Sequence, residues 1–407
     1  MTADSQLHDV EKASVILGAL PLLGTLTGIG QYVRQLAAAL LREQLVSELK
    51  LMADAHFLDQ KILNQLNPAD VVASASEVGR KAQAGTLLSM RRSMQRVASR
   101  SYVASVLHTK LTAVLSKHRL SRYRETHVYH SPNFILPPFD GPKVATLHDL
   151  SVLKFPEFHR RQTVEMCERG IMRAVSEGAH IVTDSRLVKT EIINDLSVPA
   201  DRITAIHLAP DPRCRPYSEA ECRKIMDSLG LRYRRFFLSV GTIEPRKNLL
   251  RLFSAFRRLR AERAVDWPLV VVGSKGWKSD DEHRELSALC GEGLAVYLNY
   301  VPDETLHMLY GSAGALVYPS LYEGFGLPVA EAMASGCSVI TSSGTSMEEF
   351  VDETAALVDP LDEDGLRLAM LDTASQAMDA TLRTDYLRTW QHVANDTAAI
   401  YSALGRY

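Results

Sequence analysis

Two glutamates with seven residues between them, Glu323 and Glu331, flank a stretch that can grip a polar ligand. Gly324 and Gly326 interrupt the backbone between them, and Pro328 suits the first turn of a helix. An apolar run at 315–318 comes first, so the stretch reads as strand, loop, helix N-terminus. The amides of Phe325, Gly326 and Leu327 then lack intrahelical partners, and with the helix dipole they make a site for an anion or for hydroxyl oxygens. Each carboxylate accepts from adjacent hydroxyls while the amides donate, which suits a polyhydroxylated ligand. For either glutamate alone the plainer reading is a dipole-favourable carboxylate, worth ~0.3–1 kcal/mol. Both glutamates together with two glycines, a proline and the small-residue exit Ala334-Ser335-Gly336 favour a ligand site.

Further chemistry stands at other strand ends. After an apolar run at 236–240 comes Gly241-Thr-Ile-Glu244-Pro-Arg246-Lys247-Asn248. Adjacent Arg246 and Lys247 supply two fixed cations beside a helix N-terminus, which suits a diphosphate; a solvated charge pair is the alternative. Thr146-Leu-His148-Asp149-Leu-Ser151 also follows a strand, and parallel sheets bind ligands beyond the carboxyl ends of their strands. His148 faces a ligand or is a satisfied interior imidazole; Asp149 faces a ligand or caps a helix. Near the start, Gly24-Thr-Leu-Thr-Gly28-Ile-Gly30 turns a strand into a helix expected to run to about Ser47, the geometry of a phosphate cradle. The spacing is not G-x-G-x-x-G, and no acidic residue stands where a dinucleotide ribose needs one, which disfavours nicotinamide binding. Gly273-Ser-Lys-Gly276-Trp-Lys278-Ser279 lacks the Gly-Lys-Ser/Thr of a nucleoside triphosphatase loop.

Two β/α series are needed to position these groups, and the chain of 407 residues, 46% hydrophobic, is long enough for them. Short apolar runs alternate with helical stretches on both sides of His207-Leu-Ala-Pro210-Asp-Pro212-Arg-Cys-Arg-Pro216, whose three prolines exclude helix and central strand. The fold class is therefore α/β, with two parallel-sheet β/α/β domains facing across a cleft and the proline stretch as hinge. Domains are expected at 1–207 and 208–380, with residues 381–407 forming a terminal helix. Residues 80–124 hold eleven of the 46 basic residues and no acid, with Leu87, Met90, Met94, Val97, Val103, Leu107, Leu111 and Val114 at helical spacing. Such a basic amphipathic segment can lie on an anionic membrane, at roughly 1 kcal/mol per basic residue, or pack its apolar side on its own domain. No nucleic-acid reader motif or stacking aromatics accompany the charge. No apolar run approaches ~18 residues, and the acidic start before a short apolar run at 15–20 is unlike a secretory signal. Five scattered cysteines without C-x-x-C argue for a reducing compartment and against zinc.

Glu323 to Glu331 has the E-x7-E spacing of retaining glycosyltransferases of family four, which have the glycosyltransferase-B fold, and Tyr318-Pro-Ser320 and Glu323-Gly-Phe-Gly-Leu-Pro328 resemble that family's signature. The similarity runs from about Gly28 to the C-terminus and is weakest between 45 and 125. It implies two Rossmann-like domains and a last helix that crosses back to the first domain, anchored by Trp390. By the same resemblance, Gly28 and Gly30 let the backbone approach the donor diphosphate, and His148 faces the transferred sugar. Glu323 holds the donor sugar, Glu331 binds ribose hydroxyls, and Arg246 and Lys247 stabilise the departing nucleoside diphosphate. With cations and helix N-termini supplying positive charge, no metal or other cofactor is expected. Bacterial mannosyl- and rhamnosyltransferases of surface polysaccharide assembly are the members most resembled. They imply a GDP-linked mannose or rhamnose donor, a lipid-linked glycan acceptor, and a cytoplasmic chain held at the inner face of the plasma membrane by residues 80–124. Two other readings stay open: a nucleotide-sugar epimerase or phosphorylase on the same architecture, and an inactive partner subunit that docks through its basic face.

Overall fold

The computed structural model describes residues 12–23, 28–59, 102–376, 386 and 388–405, and the structural statements below concern these. Much of the basic segment, and the loop at 24–27, lie outside them. The first series comprises β1 (Ser14–Gly18), α1 (Gly28–Arg42), β2 (Glu48–Ala53), β3 (His56–Phe57), α2 (Tyr102–Leu120), β4 (His127–Ser131), β5 (Lys143–Thr146), α3 (Ser151–Lys154), α4 (Arg161–Ser176), β6 (His180–Thr183), α5 (Arg186–Leu196) and β7 (Ile203–Ala205). Its strands form one sheet in the order β3-β2-β1-β4-β5-β6-β7, parallel except for the β2–β3 pair. Val15, Ile16 and Leu17 are all fully buried, because helices cover both faces of the sheet and leave no solvent side.

The second series comprises α6 (Glu219–Leu229), β8 (Phe237–Val240), α7 (Leu249–Ala261), β9 (Leu269–Val272), α8 (Asp280–Gly291), β10 (Ala295–Leu298), α9 (Asp303–Ser312), β11 (Ala315–Tyr318), α10 (Leu327–Ala334), β12 (Ser338–Ser342), β13 (Ala356–Val358) and α11 (Glu363–Gln376). Its sheet is wholly parallel, in the order β10-β9-β8-β11-β12-β13. Each sheet reverses its winding once, between β1 and β4 and between β8 and β11. The loops leaving those strands diverge to opposite faces and open a crevice at the carboxyl end of the sheet.

Helix α1 stops short of the expected Ser47. Gln44 adopts a left-handed φ of 51°, with Leu45 N donating to Leu40 O (3.0 Å) and Gln44 N to Leu41 O (3.1 Å). This is a Schellman end, and it drops Leu45 onto the core that also holds Leu40. The residues freed by the early stop allow β2, a strand not expected from the sequence, to pair with β1 in parallel. The last helix, α12 (Trp390–Leu404), packs on α1 of the first domain. Trp390 is buried and its Nε1 donates to Pro210 O (3.1 Å), while the Tyr401 hydroxyl lies 2.5 Å from His130 Nδ1 inside that domain. Within α2, Leu111 and Val114 are 59% and 67% exposed whereas Ser116 and Leu120 are buried. The apolar side chains at these two positions thus face outward rather than into their own domain.

The two domains touch through directed contacts. Glu349 of the second domain accepts from the amides of Arg186 (2.9 Å) and Leu187 (2.6 Å), the first two of α5, and from His207 Nε2 (2.8 Å). Ser185 Oγ accepts from Val188 N, so a helix start of one domain is capped jointly by both. Each such charge-assisted bond is worth about 1.5–3 kcal/mol when left without a substitute, and solvent reaches part of this contact. Glu349→Ala is expected to destabilise the protein by about 2–3 kcal/mol. Glu349→Gln should cost less, since the amide oxygen still accepts; urea unfolding of the two variants checks the order.

Candidate active site

At the β8/β11 crevice the loop after β8 delivers Arg246 and Lys247, and the loop after β11 delivers Glu323. The short turn carrying the cations ends at Asn248, which takes a left-handed φ of 57°, a conformation asparagine tolerates. Asn248 Nδ2 fixes it by donating to Pro319 O (3.0 Å) and Pro360 O (2.7 Å). Arg246 Nη1 donates to Glu323 Oε2 (2.8 Å) and Tyr322 O (2.8 Å), and its Nη2 donates to Glu244 Oε1 (2.8 Å). Lys247 Nζ donates to Glu323 Oε1 (2.6 Å) and to the Tyr318 hydroxyl (2.5 Å), which itself donates to Glu323 Oε1 (3.0 Å). Glu323 is buried, which opposes its charge, but Arg246 and Lys247 overcome this and hold its carboxyl at about 2. Burial prevails for Lys247, whose ammonium sits below the usual lysine range despite Glu323. For Arg246, burial is more than offset by Glu323, Asp149 and Glu244.

Glycine is required at two points here. Gly326, at the N-terminus of α10, has φ 102°, and a Cβ there would lie 2.6 Å from Met347 Cγ. Gly324 lies against the first domain, where a Cβ would fall 1.8 Å from His148 O. Phe325 stacks on Phe350 with ring centroids 4.4 Å apart, and Ser346 Oγ donates to Glu323 O (2.8 Å) and Phe325 O (3.2 Å). Among the described residues, no protein acceptor is found for the amides of Phe325, Gly326 and Leu327, the first two belonging to buried residues.

Glu331, about a turn into α10, belongs to a second polar cluster on the hinge side. Asp211 of the proline stretch accepts from Arg213 (2.8 and 2.9 Å), lies 3.6 Å from Arg34 Nη2, and accepts from Gln35 Nε2 (3.4 Å). Arg213 also reaches Asp303 (3.0 Å). Among the described residues the buried Tyr310 hydroxyl has no hydrogen-bond partner at ordinary geometry, although it is close enough to Glu331 to influence it. Burial, reinforced by Asp211 and Asp303, pushes the Glu331 carboxyl up to about 8.

On the facing wall, His148 lies at the end of β5. Its Nδ1 is 2.7 Å from Asp184 Oδ2 and its Nε2 donates to Pro132 O (3.0 Å). The Tyr32 ring, one turn into α1 from Gly28, meets the imidazole edge-on at 5.0 Å. Gly28 opens α1 and, among the described residues, nothing beyond its chain neighbours and its own helix backbone lies within 4 Å of where a Cβ would stand, and Gly30 is buried in the first turn. Asp149 Oδ1 accepts from Ser151 N (2.8 Å), an Asx turn just ahead of α3, whose N-cap is Leu150 rather than the expected Asp149. The structure therefore gathers Arg246, Lys247, Glu323, Phe325, Gly326 and Leu327 on one wall, with His148 across from Gly324, and sets Glu331 apart in the hinge-side cluster.

A family model described as glycosyl transferases group 1 matches residues 223–376, which span this second wall. The O-antigen chain mannosyltransferase B of Escherichia coli is 36% identical over 357 residues, 88% of this chain and 89% of that protein. The chain is a group 1 glycosyltransferase. The O-antigen chain mannosyltransferase RfbU of Salmonella typhimurium is 26% identical over 227 residues, 54% of this chain and 57% of that one. In architecture the glycosyltransferase resembles one from Rickettsia africae (TM-score 0.59, 13% identity, covering 97% and 95% of the two chains) and the Anabaena HepE protein in complex with UDP-glucose (0.59, 16%, 95% and 95%). These shared folds fit the two Rossmann-like domains expected from the sequence.

Several residues at and around the candidate site are not apparent from sequence. Asp184 directly follows Thr183 at the end of β6, so the rule that strand ends face the ligand could have found it. Tyr322, whose hydroxyl donates to Glu191 Oε2 (2.6 Å) and accepts from Leu150 N (3.2 Å) across the domains, gives no such signal. An Asp-x-Asp triplet, Asp362-Glu363-Asp364, is occupied by architecture: Asp362 caps Gly365 N (2.9 Å) and Asp364 pairs with Arg258 (2.7 Å).

Glu331 also sets a pH dependence. Its folded value of about 8 exceeds the ordinary 4.5, so the folded protein keeps a proton that the unfolded chain gives up between those values. Stability is expected to fall as pH rises from about 4.5 to about 8. Glu331→Gln should remove that slope and stabilise the ligand-free protein more at pH 8 than at pH 5, as urea midpoints at the two pH values will report.

Proposed function

We propose that this glycosyltransferase moves a hexose, mannose before rhamnose, from a GDP-linked donor to a lipid-linked glycan during O-antigen-type polysaccharide assembly, with retention of configuration and without a metal. The observation that carries this reading is the Arg246–Lys247 pair, held by Glu323 and Tyr318 at the β8/β11 crevice beside the amides of 325–327. A departing nucleoside diphosphate gains negative charge, and preorganised cations with a helix N-terminus stabilise it in place of a metal ion. In this reading, as in the family resembled, Glu331 accepts from ribose hydroxyls and His148 lines the sugar pocket with its two ring nitrogens held by Asp184 and Pro132 O. Both Glu323 oxygens are engaged by Arg246, Lys247 and Tyr318, which speaks against Glu323 as a covalent nucleophile. Attack from the leaving-group face then requires no carboxylate beneath the anomeric carbon, and the leaving phosphate takes the acceptor's proton. The mannosyltransferase names of the relatives support the choice of sugar.

The test is a ligand panel of GDP, UDP, ADP and TDP with their sugar conjugates, read by thermal shift with and without magnesium, then product analysis with a polyprenyl-linked acceptor. A ligand at ~100 times its dissociation constant adds roughly 2.7 kcal/mol. A selective, magnesium-independent shift from GDP-mannose and transfer with retained configuration are expected. Turnover of donor alone would instead favour an epimerase, and no shift from any nucleotide would favour an inactive partner. No helix among the described residues is long and apolar enough to cross a membrane. The outward Leu111 and Val114 on α2, with the exposed Lys117 one turn on from Val114, support peripheral docking at the inner face. Flotation with anionic but not neutral vesicles is the expected result.

A further inference from the structure

We propose that Asp184 is a positioning residue that holds His148 as a doubly protonated cation, giving the first domain a fixed positive charge opposite Arg246 and Lys247. Pro132 O can only accept, so His148 Nε2, 3.0 Å away, carries a proton. Asp184 Oδ2 lies 2.7 Å from Nδ1, and a carboxylate there accepts a second N–H. Asp184 is only 3% exposed, and its other oxygen, Oδ1, has no hydrogen-bond partner among the described residues. A buried carboxylate so poorly served by other donors depends on the imidazolium for its charge, and the imidazolium depends on it in turn.

The other groups facing His148 allow this cation. Asp149, next in the chain, adds a negative charge. His130 of β4 is fully buried and engaged by Tyr401 and Thr146; burial drives its imidazole down to about 3, so it contributes no competing positive charge. The Tyr32 hydroxyl, buried and bonded to Thr146 Oγ1 (3.2 Å), stays neutral. His207, which reaches Asp184 electrostatically, is paired with Glu349. The burial of His148 opposes its charge, but Asp184 outweighs this and raises the imidazole above its ordinary value. The main chain of His148 abuts Gly324, next to Glu323, so the residue that carries the cation stands at the contact between the two walls, and its side chain keeps 19% exposure.

Asp184→Asn separates charge from shape. The asparagine amide can donate to an unprotonated Nδ1 in the same geometry, leaving Nε2–H on Pro132 O and the imidazole neutral. The experiment is a pH titration of the full chain labelled with 15N-histidine, the His148 signals being assigned by their loss in His148→Gln. Wild-type His148 should read as imidazolium at pH 7.5, and in Asp184→Asn it should read as neutral, titrating near the ordinary value of about 6.5 or below. In parallel, kcat of Asp184→Asn for glycosyl transfer should fall at least tenfold at pH 8 and recover in part near pH 6, with donor KM within about twofold. Neutral His148 in the wild type, or an unshifted titration in the variant, would overturn the proposal; the wild-type spectrum decides this even if Asp184→Asn fails to fold. The consequence for turnover rests on the donor-site reading. A shifted titration with an unchanged kcat profile would overturn the cation's part in the reaction, whereas failure of the wild-type chain to bind any nucleotide would overturn the donor-site reading alone.

Discussion

Gly324→Ala is expected to reduce turnover by about a hundredfold or more while leaving nucleotide binding within a few-fold of wild type. The added Cβ would lie 1.8 Å from His148 O and 2.7 Å from its carbonyl carbon, both backbone atoms that cannot swing aside. Relief therefore requires the two domains to separate by an ångström or more at their point of contact, and displacements of about 1 Å can cost a hundredfold in rate. The donor contacts proposed for Arg246, Lys247, Glu331 and the amides of 325–327 all belong to the second domain, so most of the nucleotide affinity should survive a retreat of Gly28 and Gly30 on the first. Equilibrium binding of GDP beside steady-state kinetics gives the comparison. Wild-type turnover in the variant would show that the cleft works without this contact, and loss of binding along with turnover would show that the second domain itself had been disturbed.

The legible parts of this fold are those in which local chemistry and tertiary role coincide. Strand β11, Gly324, Gly326, Pro328 and helix α10 follow from apolar run, breakers and helix start, because each residue obeys a local rule where it stands. The same holds for Arg246 and Lys247, whose turn is closed by an asparagine in a left-handed conformation. Strand β2 is not legible: Glu48 to Ala53 alternates too briefly, and its identity as a strand comes from the vacant edge of β1. Helix α1 looks longer in sequence than it is because no glycine marks its end, Gln44 taking the left-handed position instead. The joint capping of α5 by Glu349 is beyond reach for a different reason. Glu349 and Arg186 are distant in sequence, and nothing in either segment names the other. Glu349 serves architecture, but between domains rather than within one. The partition of roles between the two glutamates is likewise invisible, since spacing alone cannot show that Glu323 meets cations while Glu331 meets other acids.

That partition leads to the second large effect. Glu323→Gln is expected both to unfold the ligand-free protein more easily and to lower kcat/KM by about 10²–10³-fold. The glutamate neutralises two cations in a buried site, and removing one partner of such a cluster leaves uncompensated charge, at a cost of about 3–5 kcal/mol. Glu244 remains, but it meets only Arg246 among the two, at 2.8 Å. A nucleoside diphosphate would restore negative charge to the same place, so GDP should raise the melting temperature of Glu323→Gln by more than it raises that of the wild type. Pairing the change with Lys247→Met removes one cation along with the anion. The double variant should recover much of the lost stability, a coupling expected between contacting residues, yet recover no turnover, because one of the charges that stabilises the leaving group is still gone. If the double variant were as unstable as the sum of its two single changes, the Glu323–Lys247 contact at 2.6 Å would carry no net energy, and Glu323 would have to be assigned to the sugar alone.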